Sequence, residues 1–110
     1  MEIEFSGSKL ERVCNDSRLL QKEYGHQAPV IMRRLAVLRA APNLATVPVD
    51  KPERRHELVG NRKGTFAVDL KHPFRLIFEP AEDPVPRKDD GGIDLQRVDS
   101  IRILQIEDYH

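Results

Sequence analysis

The chain has 110 residues, 33% of them charged and 39% hydrophobic, with 18 basic and 18 acidic side chains that cancel to a formal charge of zero. That length suits one domain around one core, and no apolar run approaches the ~20 residues of a membrane-spanning helix. Cys14 is the sole cysteine, which excludes an internal disulfide, and the first residues lack the basic-then-apolar pattern of a secretory signal, so a cytoplasmic location is expected.

Met1–Phe5 reads as a short strand with Ile3 and Phe5 on one face. Ser8-Lys9-Leu10-Glu11 then has the form of a capping box, in which Ser8 and Glu11 satisfy the first N–H groups of a helix. Leu10, Val13, Cys14, Ser17, Leu20 and Tyr24 recur at helical spacing, which predicts one helix stopped by Gly25. A second helix is expected from Ala28-Pro29, carrying Ile31, Leu35 and Leu38 on one stripe and ending at Pro42. Two helices across so short a link predict an antiparallel hairpin.

The stretch 42–53 holds three prolines and reads as a semi-rigid connector. Beyond it the period changes to two. Residues 55–59 are a strand candidate, and Gly60-Asn61-Arg62-Lys63-Gly64 is a turn. Phe66, Val68 and Leu70 share one face of the next strand. After a turn at Lys71-His72-Pro73, Phe74, Leu76 and Phe78 share a face of another, leaving Arg75, Ile77 and Glu79 opposite. Residues 101–107 close the sheet. The order predicts an α+β fold, with an N-terminal strand and a two-helix hairpin packed on one face of a mostly antiparallel sheet of four to five strands, as a single domain over residues 1–110.

Charge is distributed unevenly along this chain. Residues 80–99 carry six acids against three bases, whereas residues 54–75 carry six bases against two acids, a local balance of +4. Such a patch is either a solvated sheet face or an attractor for anions.

His26 and His72 fall in loops. His56 falls in a predicted strand, where a histidine can be structural or catalytic. The sequence closes on Asp108, Tyr109 and His110 directly after a strand, and that ending is informative as a unit. A carboxylate near an imidazole fixes its tautomer and favours its charged form, while a tyrosine ring offers a base a stacking surface worth ~1–3 kcal/mol. RNA cleavage without a metal needs a base, an acid and a cation for the phosphate, and two imidazoles, a carboxylate and several arginines permit it. Imidazole, with a pKa of ~6.5, moves protons near neutral pH, and the arginine fork grips phosphate oxygens. No zinc-type spacing and no phosphate-binding glycine loop occurs, so neither metal nor cofactor is expected.

Three stretches together, R-H-E-L-V-G-N-R-K-G-T-F-A-V (55–68), H-P-F-R-L-I-F-E-P (72–80) and the terminal D-Y-H, resemble the HigB branch of the RelE/ParE toxin superfamily. The resemblance implies the toxin of a two-gene toxin–antitoxin module, silenced by a helix-turn-helix (HigA-like) antitoxin, that cleaves messenger RNA on the ribosome. It also implies proton-transfer or accessory roles for His56, Asp108, Tyr109 and His110, a phosphate contact at Arg75, and RNA-backbone contacts at Arg54, Arg62 and Lys63. The long acidic segment 80–99 and the neutral net charge depart from the family pattern. A ParE-like toxin that inhibits DNA gyrase without catalysis is the rival reading on the same fold, and a relative acting solely through its antitoxin is another.

Overall fold

A computed structural model describes Met1–Asp108. Its elements run β1 (Glu2–Phe5), α1 (Ser8–Cys14), α2 (Ser17–Tyr24), α3 (Ala28–Ala40), β2 (His56–Glu57), β3 (Phe66–Asp69), β4 (Phe74–Pro80) and β5 (Ser100–Asp108), with short 3-10 turns between several of them. The strands form one sheet in the order β1-β5-β4-β3-β2; β1 runs parallel to β5 and the other pairs are antiparallel. The expected α+β class holds.

The helices cover one sheet face. Leu20 of α2 and Ile31, Leu35 and Leu38 of α3 pack with Phe66, Val68, Leu76, Phe78, Ile101 and Ile103 of the strands. Phe66 and Phe78 stack in this layer with ring centroids 6.0 Å apart. Burial at the helix edge of the layer pushes the Cys14 thiol up to about 11, which keeps it protonated at neutral pH.

Three local expectations are corrected. The first predicted helix is two helices, because Asp16 caps α2 by accepting from the Arg18 and Leu19 N–H groups at 2.9 and 3.2 Å. Short polar side chains such as Asn15 and Asp16 compete with the helical backbone and favour caps, so they interrupt the apolar stripe. The capping box at Ser8 does not form: Gly7 is the N-cap, with φ of 96°, and no side chain caps α1. The strand expected over residues 55–59 is the two-residue β2, although Leu58 N–H still donates to the Thr65 carbonyl.

A bulge in β5 matters most for the functional face. Phe78 pairs with Ile103 while Ile77 pairs with Gln105, so Leu104 is an extra residue in β5. Strict alternation would put Asp108 on the face of Arg102. The extra residue turns the following stretch over, so that Ile106 joins Ile101 and Ile103 in the main core and Glu107 stands opposite Arg75. Leu104 itself packs with Leu58, Ala67 and Ile77 in a small apolar cluster on the sheet face away from the helices. That face therefore carries an apolar patch among its charged residues.

The connector between α3 and β2 is pinned from below by Arg34, a buried arginine of α3. Its Nε donates to the Asp69 carbonyl at 2.6 Å, Nη2 donates to the Pro52 carbonyl at 3.4 Å, and Nη1 lies 4.0 Å from the Glu53 carboxylate. Asp69 N–H closes the loop onto the Glu53 carbonyl at 2.8 Å. These bonds fix residues 52–54 beside the end of β3 and so set where His56 starts.

Candidate active site

Two cross-strand rows organise the face opposite the helices. The first runs His56, Ala67, Ile77, Gln105 across β2, β3, β4 and β5. The second, two residues along, runs Asp69, Arg75, Glu107. With strands ~4.8 Å apart and a rise of ~3.4 Å per residue, the His56 and Arg75 backbones are roughly 12 Å apart on the same face.

His56 is half-buried, and its Nδ1 lies 2.8 Å from the Arg54 carbonyl oxygen. A carbonyl oxygen can accept but not donate, so Nδ1 carries the hydrogen. Nε2 is left as the ring nitrogen with an open lone pair in that tautomer. Arg54 makes this possible by adopting a left-handed backbone, φ 48°. Its guanidinium grips Asp69 through Nε to Oδ2 at 2.7 Å and Nη2 to Oδ1 at 3.1 Å. Arg54 thus orients the imidazole through its backbone while its charge is matched by Asp69.

The second row holds a denser cluster. Glu107 Oε2 accepts from Arg75 Nε at 2.8 Å and from Arg62 Nη1 at 3.2 Å, and Arg75 Nη2 lies 2.7 Å away. Glu107 Oε1 lies 2.9 Å from Arg62 Nη2 and accepts from Gln105 Nε2 at 3.0 Å. Arg62 reaches this carboxylate from the turn after β2, across the open face. Hydrogen bonds from Arg62 do most to hold the Glu107 carboxyl below its ordinary range; burial opposes them, and the hydrogen bonds from Arg75 and the charges of both arginines add to the lowering. Lys63, next in the turn, is exposed. At the far end of the face Arg102 is bound to Glu4 and Glu79, each within 2.7 Å.

The structure thus brings His56, Arg54, Arg62 and Arg75 to one face; Lys63 is exposed next to Arg62 in the turn. Asp108 pairs with Phe74 and, by alternation from the core residue Ile106, falls on the helix side, so it does not share that face. Tyr109 and His110 lie outside the described residues. Glu107, Gln105 and Asp69 were missed by sequence reasoning. Their recruitment depends on the bulge and on the cross-strand register, and neither leaves a spacing signal. Among the described residues no group of three or more His, Cys, Asp or Glu side chains is placed to hold a metal, and no helix is long and apolar enough to cross a membrane.

No protein-family model matches the chain, and no curated protein sequence does. Among solved structures it is similar to a YoeB/ParE toxin from Agrobacterium tumefaciens, with a TM-score of 0.58, over 100% of both chains, at 10% identity. The chain shares the fold of a YoeB/ParE toxin. At that identity the likeness is one of fold.

Proposed function

We propose that the chain is the toxin of a toxin–antitoxin pair and that it is an endoribonuclease of the HigB type, cutting messenger RNA during translation. The observation that carries this reading is the His56 imidazole, fixed at Nδ1 and presenting Nε2 on the face that also carries the Arg62–Arg75 pair. The shared fold with a YoeB/ParE toxin supports the toxin reading.

In the proposed reaction the ribose 2′-oxygen attacks phosphorus as its proton leaves to an imidazole. The bond from phosphorus to the 5′-oxygen then breaks, and that oxygen takes a proton from a second group. His56 Nε2 carries out one of the two transfers. His110 is proposed for the other, with Tyr109 as the stacking surface. Arg75 and Arg62 stabilise the charge that grows on the phosphate oxygens. Each positioned acid or base is worth about 10²–10⁴ in rate. The partners that follow are a helix-turn-helix antitoxin and the ribosome.

The test is induction in cells followed by mapping of messenger-RNA 5′ ends. Wild type is expected to create new ends within translated codons, and His56→Ala and His110→Ala are expected to reduce them at least a hundredfold while circular dichroism shows both variants folded. Growth arrest with unchanged ends and altered plasmid supercoiling would overturn this reading in favour of gyrase inhibition.

A further inference from the structure

Glu107 has a role that the reaction above does not use. Five donor nitrogens lie within 3.2 Å of its carboxylate: two from Arg75, two from Arg62 and one from Gln105. Three of the five converge on Oε2. A carboxylate oxygen has two lone pairs, so this oxygen faces more donors than it can satisfy. A tetrahedral oxyanion offers further acceptor sites to the same two forks, and Arg–phosphate pairing is commonly bidentate.

We propose that Glu107 is a built-in stand-in for the phosphodiester: its carboxylate fills the Arg62–Arg75 fork in the resting protein and is displaced when a phosphate oxygen enters. This rests on the reading of Arg62 and Arg75 as the phosphate-binding pair. Exchange of one anion for another keeps both guanidiniums paired at every stage, so neither is left desolvated and uncompensated. The device exists because the Leu104 bulge turns Glu107 to this face. Arg75 and Glu107 are cross-strand partners, so the carboxylate can swing aside by side-chain rotation with the ladder intact.

The experiment is titration of inorganic phosphate into wild type, Glu107→Gln and Glu107→Ala, followed by calorimetry and by amide NMR shifts, with circular dichroism to verify folding. Both variants are expected to bind phosphate about tenfold more tightly than wild type. Unchanged or weaker binding in folded variants would overturn the proposal and make Glu107 a positioning residue for the arginines. Should either variant fail to fold, carboxyl NMR of Glu107 in wild type decides: saturating phosphate is expected to move its titration back toward the ordinary carboxylate range, and an unmoved titration overturns displacement. Neither readout involves cleavage. Tighter phosphate binding in the variants, from a protein that leaves messenger RNA uncut, would therefore sink the nuclease reading and leave this one standing.

Discussion

Among the described residues Arg54 is the non-glycine residue held at positive φ, and its position explains why an arginine tolerates that backbone. Its carbonyl takes the His56 Nδ1–H and its side chain takes Asp69, so two interactions offset one strained dihedral. The magnitudes can be separated. A Cβ in the left-handed region costs about 1–2 kcal/mol, whereas glycine loses about 0.4–1 kcal/mol of that advantage to unfolded-state entropy. Arg54→Gly and Arg54→Ala both lose the ion pair with Asp69, which is partly exposed and worth at most about 1 kcal/mol. Arg54→Gly is therefore expected to be more stable than Arg54→Ala by about 0.5–1 kcal/mol in urea denaturation. Equal midpoints would show that the backbone there relaxes once the side chain is removed. His56, Arg62 and Arg75 were legible as candidates because histidine and arginine in strands and turns are chemically conspicuous. The matched carboxylates Asp69 and Glu107 were not, since one acid among 18 gains meaning solely from the strand it faces.

At the scale of elements, periodicity located every strand and the second helix but failed where one residue changed the phase. The Leu104 bulge is invisible to alternation, because apolar residues at 101, 103, 104 and 106 fit two phases equally well. As a result Asp108, expected beside the histidines, falls on the other face and Glu107 takes the place opposite Arg75. The helix break was signalled by Asn15-Asp16-Ser17 but was overridden by an apolar stripe that continues through both helices. Capping energetics make this testable. Asp16 accepts two backbone N–H groups, and replacing such a cap with alanine costs about 1 kcal/mol. Ser8 caps nothing in the structure, so its loss should fall within the roughly 0.5 kcal/mol scatter of surface substitutions. Asp16→Ala is thus expected to lower the urea midpoint measurably and Ser8→Ala to leave it in place. The reverse ranking would mean that α1 begins one residue later, with Ser8 as its cap.

Across the whole molecule, zero net charge conceals a division between a polar face rich in arginine and an acidic segment that is folded onto the core. Val98 is fully buried, its carbonyl accepts Leu44 N–H at 2.9 Å, and Glu82 Oε2 accepts from Asp99 and Ser100 N–H, so residues 81–99 are an ordered part of the domain. On the open face Arg54 is matched by Asp69, and Arg102 by Glu4 and Glu79. On the proposed exchange with Glu107, Arg62 and Arg75 would become available to RNA, and Lys63 is exposed next to Arg62 in the turn. That leaves about three cations for backbone phosphates. For single-stranded nucleic acid the logarithm of affinity falls with the logarithm of salt concentration at about −0.7 per phosphate neutralised, so a slope near −2 is expected. Fluorescence anisotropy of a short single-stranded RNA, 2′-deoxy at the cleavage position, between 50 and 200 mM salt measures it directly. A slope of about −4 or steeper would require roughly six phosphate contacts, and the matched arginines would then have to open as well. Lys63→Ala should flatten the slope by about 0.7, one phosphate's worth, without abolishing binding, because the proposed phosphate grip belongs to the arginine forks.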